Sequence, residues 1–504
     1  MKHSNVGVVL VLCVGAFLAG CPSFVNDENC DNGGCPDGST DGSQPDSPQA
    51  DGGPDTADAL DATADRDTPP PGCDTPNEPL KNPSKCLVDA FGSFVSTSGD
   101  DANDGTIAKP YKTIGKALLG TKSRIVACEG TYPGSLEVKR DVEIYSGIDC
   151  TFTKVGGRAK VTASKPEYGV KAEKSMLLAD VEVTAMAGTE ASPNSVGVWA
   201  VNAPSVVLRN VTVTAQGGFR GADGANGATG IYAVGNGNGN PASATAGGTQ
   251  VDCTCSSGGA TRGAAGAPAG FGGGTGTDAI PENPLGQNPP RDGAGGQAGA
   301  MCVGPGSGHN GADRFAASDA AKPTLLGKLE ASAWITSPGT DGAAGLPGQG
   351  GGGGGSRGAM SYGGGGGCGG CGGTGGKGGG GGGASIALLS ISSGIQLDKA
   401  SLTGGTGGTG GTGGTGGTGG GGGPGAAGGG SLSGCSGGDG GKGAKGGAGS
   451  GGAGGLSVAI LYKGTKPGGN ATYTFGTPGN GGPGGAAGVN DGPVGLAQNE
   501  YEIQ

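Results

Sequence analysis

The sequence predicts an all-β protein in which short strands recur along the chain and stack as a solenoid. Short runs alternate apolar and polar side chains, are rich in β-branched residues and are separated by turn residues. The pattern at 177–185 recurs at 207–215 and again at 395–403, as in stacked repeats. Glycine makes up 126 of 504 residues, and 103 of these lie from residue 217 onward. An apolar core must therefore come mostly from the first half and from later apolar islands.

Residues 1–20 predict a bacterial lipoprotein signal peptide. A lysine precedes an apolar run over 6–17 that is too short to span a bilayer. The run ends in Leu-Ala-Gly-Cys at 18–21, which resembles the lipobox of bacterial lipoproteins. The resemblance implies that Cys21 becomes the first mature residue and carries the lipid that anchors the protein. Pro22 favours the outer membrane, at the cell surface or on the periplasmic face. The alternative is an ordinary cleaved signal peptide.

Residues 21–86 are predicted to be the acylated cysteine followed by a disordered acidic tether. Between 22 and 72 there are twelve acidic residues and one basic residue, so this stretch carries the formal charge of −11 of the whole chain. Its composition, dominated by Gly, Pro, Ser, Thr and Asp, cannot supply a core, and self-repulsion extends such a chain. Weak calcium binding is the alternative to a solvated spacer. The acidic tether and the neutral body argue against nucleic-acid binding.

The body begins at residue 87. Residues 94–114, which end in Pro-Tyr-Lys-Thr-Ile, resemble the N-terminal segment of right-handed parallel β-helix proteins of the pectin-lyase-like superfamily. The resemblance implies a strand, a polar turn, a short capping helix over 113–119, and right-handed parallel β-helix turns over 87–234 and 385–504. The acidic residues of the turn could hold a cation, but Asp and Asn make such turns unaided, which is the favoured interpretation; these residues are Asp100, Asp101, Asn103 and Asp104.

Glycine-rich insertions separate the strand repeats, and the longest, 235–384, also contains cysteines. Glycine recurs at every third position over 218–230, and Gly-Gly-Thr triplets fill 406–418. Three is the period of the extended polyproline-type helix. The tracts are either flexible coil or packed polyglycine-II helices, which would resemble known glycine-rich antifreeze and surface proteins. The strict period favours the packed form over coil or a collagen triple helix. The apolar patch at 325–335 is interpreted as a displaced strand unit.

The cysteines predict disulfides. Of the fourteen, Cys13 lies in the signal and Cys21 carries lipid, and an even number then remains in an exported chain. The pairs expected from proximity are Cys30–Cys35, Cys73–Cys86 and Cys128–Cys150, the last across about one strand repeat. Six further candidates are Cys253, Cys255, Cys302, Cys368, Cys371 and Cys435.

Cys368 and Cys371 form a C-x-x-C pattern inside the glycine period. In a threefold extended helix their Cα atoms would lie about 9 Å apart, beyond the ~7 Å reach of a disulfide. Each is therefore expected to bond to a different strand and to staple tracts together. A zinc site is the less favoured alternative.

The sequence presents no convincing catalytic, metal-binding or cofactor-binding constellation. His309 is the one histidine after the signal, which argues against triad mechanisms. Asp180 and Glu182 share a strand, and Arg209 lies on a suitable strand, but none has evident partners for lyase or hydrolase chemistry. Trp199 and Trp334 are too few to define a sugar groove from the sequence.

The layout resembles the β-helix lipoproteins with an Asp/Pro-rich tether and glycine-rich loops that are common in myxobacteria. The resemblance implies a non-enzymatic, membrane-anchored, surface-associated protein that displays its scaffold for adhesion, with polysaccharide or extracellular matrix as the expected partner and no nucleic acid. The rival interpretation is a carbohydrate-active enzyme, a polysaccharide lyase or glycoside hydrolase. A purely mechanical envelope component is a third.

Overall fold

The computed structural model describes residues 69–73, 78–269 and 292–503. Most of its regular elements are short strands. The helices are α1 (Glu78–Lys81), α2 (Pro83–Cys86) and α3 (Ile114–Leu118). The strands are β1 (Ser93–Val95), β2 (Arg124–Ala127), β3 (Gly130–Pro133), β4 (Leu136–Val138), β5 (Val142–Tyr145), β6 (Ala159–Thr162), β7 (Val170–Ala172), β8 (Met176–Ala179), β9 (Val181–Thr184), β10 (Ser195–Val201), β11 (Val206–Arg209), β12 (Thr212–Thr214), β13 (Tyr232–Val234), β14 (Val251–Cys255), β15 (Ala260–Gly263), β16 (Gly327–Glu330), β17 (Ala333–Thr336), β18 (Ser361–Tyr362), β19 (Ser385–Ile391), β20 (Ile395–Thr403), β21 (Gly429–Gly430), β22 (Ser457–Lys463), β23 (Gly468–Thr474) and β24 (Ala497–Glu502).

Two large sheets hold most of the strands, and both are parallel. The first contains eleven strands in the order β1-β2-β5-β8-β11-β20-β12-β9-β6-β3, with β23 also paired to β20. The second contains six, in the order β24-β22-β19-β10-β7-β4. The register matches the sequence repeat, since Leu178 pairs with Leu208 and Leu208 with Leu397. Like side chains therefore form rows across the strands.

The two large sheets bury one shared apolar core. Leu178 and Leu208 of the first sheet and Val198 of the second are fully buried in the same cluster. Helix α3 packs at the N-terminal end of this core, where Ile114 and Ala117 are buried. The Thr113 side chain accepts a hydrogen bond from the Lys116 N–H and so caps the helix. The helix expected over 113–119 is thus present.

A left-handed residue separates the paired strands of successive repeats. Asp180, between β8 and β9, has φ 57°, and Asn210, between β11 and β12, has φ 49°. Asp and Asn tolerate this conformation better than other residues with a Cβ. The Asn210 side-chain amide donates to Asp180 and accepts from Arg158. This polar row keeps the bends of neighbouring repeats aligned.

The prediction of a single right-handed parallel β-helix is wrong. The strands form five sheets, and the three small ones are antiparallel: β13-β14-β15, β16-β17 and β18-β21. The patch at 325–335 is not a displaced parallel strand unit, because it forms the β16–β17 hairpin. These sheets lie within or beside glycine-rich segments, where the repeat pattern that motivated the prediction is absent.

The glycine tracts are ordered by hydrogen bonds to one another. The N–H groups of Gly218, Gly221 and Gly224 donate to the carbonyls of residues 406, 409 and 412, at 2.9, 2.8 and 2.7 Å. In the same tract at 404–428, Gly408 donates to the Gly383 carbonyl and Gly411 to that of Gly380. Successive positions of one triplet thus bond to different neighbours, as a threefold extended helix requires. Of the two interpretations left open by the sequence, the hydrogen bonds support the packed form.

Glycine is required where two tracts meet, because backbone occupies the place of a side chain. A Cβ on Gly414 would lie 2.0 Å from the Ala225 carbonyl oxygen, and one on Gly411 would lie 1.9 Å from that of Ala222. The third position of the triplet faces outward, and Thr409 and Thr415 are exposed. We call these packed tracts the glycine bundle; they comprise 217–230, 306–321, 337–356, 363–383, 404–428, 434–456 and 476–496.

Asp and Asn side chains on neighbouring tracts satisfy outward-facing N–H groups at the edges of the bundle. Asp223 accepts from the Thr412 N–H at 2.7 Å, and Asn226 accepts from the Thr415 N–H at 2.9 Å. Asp313 does the same for the Lys442 N–H at 2.6 Å. These contacts complete the pairing of backbone donors that the next tract cannot reach.

Five disulfides link the described part of the chain. Cys73–Cys86 and Cys128–Cys150 are the pairs predicted, whereas Cys21, Cys30 and Cys35 lie outside the described residues. Cys368 and Cys371 do not bond to each other, but both partners, Cys253 and Cys255, lie on the single strand β14, so the expectation of two different strands is wrong. Cys302–Cys435 joins two further glycine-rich segments.

Candidate functional site

The polar turn at 100–104 is held by its own side chains. Asp101 accepts hydrogen bonds from the N–H groups of Lys112 and Thr113, both at 2.9 Å. Asp104 accepts from the Thr106 N–H and hydroxyl, which lower the pKa of its carboxyl. The Asn103 amide donates to the Pro110 carbonyl. These hydrogen bonds support the interpretation of 100–104 as a turn held by its own side chains.

The structure spreads the suspected catalytic residues over the outer face of the first sheet. Glu182 forms a surface ion pair with Lys160 at 3.4 Å. Asp180 is partly buried in the polar row described above, and desolvation raises the pKa of its carboxyl. Arg209 pairs with Asp398 at 3.3 Å, a partner that the sequence did not suggest. These groups form a ladder of ion pairs and hydrogen bonds between repeats.

A charged groove of about 330 Å³ follows the same face. Arg124 and Arg209 line it together with Glu143. Arg124 binds Glu143 at 2.9 Å, and the Tyr145 hydroxyl donates to the same carboxylate at 2.8 Å. The rival enzymatic function would have to use this groove, where Arg124 and Glu143 are already paired with each other and Asp141 accepts a hydrogen bond from the Ser175 N–H.

His309 belongs to the glycine bundle through its backbone. Its N–H donates to the Ala294 carbonyl, and its own carbonyl accepts from Gly352. Across the described ranges, no group of three or more His, Cys, Asp or Glu side chains is placed to hold a metal ion.

The structure does bring the two tryptophans together, which the sequence did not reveal. Trp199 lies on β10 between Val198 and Ala200, which face the core, so its side chain projects from the opposite face of the second sheet. Trp334 lies on β17, and the β16–β17 hairpin packs over that same face. Both side chains line one cavity of about 410 Å³, which we call the tryptophan cavity.

Specific contacts fix the hairpin over the second sheet. The Asn194 side chain donates to the Trp334 carbonyl at 2.7 Å and accepts from the Ala384 N–H at 2.8 Å. Trp334 is 1% exposed, and its ring meets Tyr501 edge-on at 6.3 Å. Its indole N–H donates to Thr336 at 3.2 Å. Trp334 is therefore a fixed part of the cavity wall.

Trp199 is the more accessible of the two aromatic side chains. Its ring lies 6.1 Å from that of Tyr168, and the Lys171 ammonium lies 5.0 Å from its centroid, within range of a cation–π contact. Lys171 also pairs with Glu173 at 2.6 Å. The indole nitrogen is buried without a hydrogen-bond partner, so the ring surface is the part available to a ligand.

The polar side of the tryptophan cavity centres on Glu167. Its carboxylate accepts a hydrogen bond from Ser192 at 2.8 Å, and a carboxylate has room for further donors. The rest of the lining is mainly apolar, including Val196, Ile335 and Leu389. An aromatic, apolar cavity with a few polar groups is the usual form of a small-ligand site.

The signal for this cavity was present in the sequence but was not decisive. Residues 325–335 form an apolar patch with a tryptophan inside a glycine-rich segment, and an isolated patch of this kind needs another surface to cover. Trp199 lies 135 residues earlier than Trp334 in the chain. Only the packing of the hairpin on the second sheet shows that they meet.

Comparisons with known proteins add no relative. No family model, no curated protein and no solved structure matches this chain. Within the part of the chain that the structure describes, no helix has the length and apolar character needed to cross a membrane.

Proposed function

We propose that this protein is a membrane-anchored, surface-exposed lipoprotein with a structural and adhesive role, which holds polysaccharide or matrix polymer without degrading it. The lipid on Cys21 would attach the chain to the outer membrane, and the acidic tether would hold the body away from the anionic surface. The sheets and the glycine bundle would then present a large, fixed surface.

The tryptophan cavity carries this proposal. Glycosidases place two carboxyl groups around the bond that they cleave, whereas the described lining of this cavity contains Glu167 as its single carboxylate. Aromatic and apolar walls with one carboxylate suit retention of a ligand better than acid–base chemistry. In the charged groove, Glu143 is paired with Arg124, and Asp141 accepts a hydrogen bond from the Ser175 N–H.

The decisive experiment separates binding from turnover. The full chain, purified in detergent micelles, is offered neutral and acidic polysaccharides with and without calcium, and both retained protein and released oligosaccharides are measured. We expect retention on at least one polymer and no product. Sustained product release that is lost in Glu143→Gln would establish the enzymatic rival instead.

The anchoring part of the proposal has its own test. Replacement of the lipid-bearing thiol in Cys21→Ser should shift the protein from the membrane fraction to the soluble fraction. Protease added to intact cells should cleave the wild-type protein, because the proposed body faces outward, and full protection would contradict surface exposure. Unchanged membrane association of the Cys21→Ser variant would refute the lipid anchor.

A further inference from the structure

We infer that the tryptophan cavity binds an uncharged sugar ring, with the apolar face of the ring against Trp199 and a hydroxyl donating to Glu167. This inference rests on the proposed function, since it names the class of glycan that the same site would take. It is drawn from the charge, lining and accessibility of the cavity, which each limit the ligand in a different way.

The charge of the lining disfavours acidic sugars. Glu167 is the one charged residue among the described residues of the wall. The nearby ammonium of Lys171 is committed to Glu173 at 2.6 Å and to the Trp199 ring. A uronate carboxylate would therefore lie beside the exposed Glu167 carboxylate without gaining a cation, and like charges repel each other.

The lining also disfavours a purely aliphatic ligand. Glu167 and Ser192 form a hydrogen-bonded pair at the exposed edge of the cavity, and an apolar ligand offers the carboxylate no hydrogen-bond donor. A sugar ring presents C–H groups on its faces and hydroxyl donors on its edge. It can therefore pack its C–H groups against the Trp199 ring and donate a hydrogen bond to the Glu167 carboxylate at the same time.

The size of the cavity limits how much of a polymer enters. A volume of about 410 Å³ lies near the lower end of the ~300–1,000 Å³ range of small-ligand pockets. The walls come from the Ala191–Asn194 segment, β10, β17 and β19, which are tied together by Asn194 and the packing of Trp334. The site therefore suits a chain end or side branch better than a long internal segment.

The two tryptophans make this inference directly measurable. The chain contains two tryptophans in total, and both line the cavity, so intrinsic tryptophan fluorescence reports on this site. The full chain is titrated with three hexasaccharides: cellohexaose as the neutral probe, hexagalacturonate as the acidic probe and a glucosamine hexamer as the cationic probe. We expect cellohexaose to change the emission, and hexagalacturonate to bind at least tenfold more weakly.

Variants distinguish the two contacts. Trp199→Ala should weaken cellohexaose binding at least tenfold, whereas Trp199→Phe, which keeps an aromatic face, should weaken it less. Glu167→Gln should weaken cellohexaose binding and reduce the difference in affinity between cellohexaose and hexagalacturonate. Glu182→Gln, outside the cavity, is the matched control and should change neither affinity; binding to the variants that lack Trp199 is followed by calorimetry.

The outcomes separate the two proposals. Tighter binding of the acidic or cationic probe, or cellohexaose binding that survives Trp199→Ala, overturns the assignment of a neutral sugar to this cavity. If the chain is retained on polysaccharide while its fluorescence and the Trp199 variants show no effect, the adhesive function stands and the cavity assignment falls. If no polymer and no hexasaccharide binds, both fall.

Discussion

The stacked parallel sheets and the glycine bundle both hold extended segments of chain together, but their interiors are filled differently. In the sheets, rows of side chains such as Leu178, Leu208 and Leu397 fill the space between layers. In the bundle, glycine backbones approach so closely that a single Cβ would overlap a carbonyl. Both pair their backbone groups with adjacent segments of chain. They differ in period, which is two in a strand and three in the extended helix.

This difference changes what stabilises each region. The sheets gain from apolar burial, worth about 25 cal/mol per Å². The bundle relies on backbone hydrogen bonds, each worth about 0.5–1.5 kcal/mol net, against the high entropy cost of ordering glycine. Two disulfides to β14 constrain the bundle further. The sheets should therefore be destabilised by loss of side-chain volume from the core. The bundle should be destabilised by side chains added at its glycines or by a shift of its three-residue repeat.

The largest effect is expected from an insertion that shifts the three-residue repeat of a tract in the bundle by one position. One glycine inserted after Gly414 would rotate every later residue of the tract by about 120°, turning Thr418 toward the interior. The run of hydrogen bonds from Gly417, Gly420 and Gly423 would be lost together, at about 1.5–4.5 kcal/mol for these three bonds alone. Hydrogen exchange should show loss of protection across 404–456.

Inserting a whole Thr-Gly-Gly triplet at the same place is the control, because every later residue then keeps its place in the threefold repeat. It should leave most amides of the tract protected. Equal loss of protection with one and with three added residues would mean that the threefold period does not organise the bundle.

Removal of core volume should be the next most damaging change, and only in the sheets. Leu208 is fully buried between the sheets, so Leu208→Ala should cost roughly 2–5 kcal/mol through lost burial and a residual cavity. Thr214→Ala, on the outer face of the same sheet, should stay within about 0.5 kcal/mol. Denaturant unfolding followed by circular dichroism measures both, and equal costs would contradict the shared core.

Addition of a single methyl group should change the stability of the protein differently at two glycines of the bundle. Gly414→Ala places its Cβ 2.0 Å from a carbonyl oxygen and should destabilise the protein by about 1–3 kcal/mol. Gly421→Ala meets no atom within 4 Å, and it should be neutral or stabilising by up to about 1 kcal/mol because alanine restricts the unfolded chain. Equal effects at the two sites would argue against close packing.

The smallest expected effect is an opposite response to pH in the two regions. In the bundle, the Thr412 N–H and then Arg220 lower the pKa of Asp223. Its contribution is present above the ordinary carboxyl pKa of about 3.9 and is lost as pH falls through the lowered value. In the sheets, desolvation raises the pKa of Asp180, so its carboxylate opposes folding as pH rises through that raised value.

Two variants test the direction in which each carboxylate changes stability with pH. Asp180→Asn should be slightly more stable than the wild type near neutral pH, with a difference within about 1 kcal/mol that vanishes in acid. Asp223→Asn should be slightly less stable near neutral pH, and this deficit should vanish as the wild-type carboxyl protonates. Unfolding free energies measured across pH test both, and slopes of the same sign would refute the contrast.

Prediction from the sequence succeeded where one residue pattern decides one structure. The alignment of 177–185 with 207–215 gave the register of β8 with β11, and the every-third glycine gave the threefold tracts. The antiparallel hairpins were missed because their short strands lie in glycine-rich surroundings with no repeat. The tryptophan cavity was missed because nothing local to Trp199 or Trp334 specifies their meeting, which depends on packing over a long separation in the chain.

An interior made of main chain has a consequence for how this molecule can vary. Position three of the triplet is exposed at Thr409 and Thr415 in one tract and at Lys442 and Lys445 in another. Substitution at these positions can change the charge and polarity of the surface while the packed backbone beneath keeps its dimensions. Each turn adds about 9 Å of length, so such a protein can evolve its outer coat residue by residue, independently of its fold.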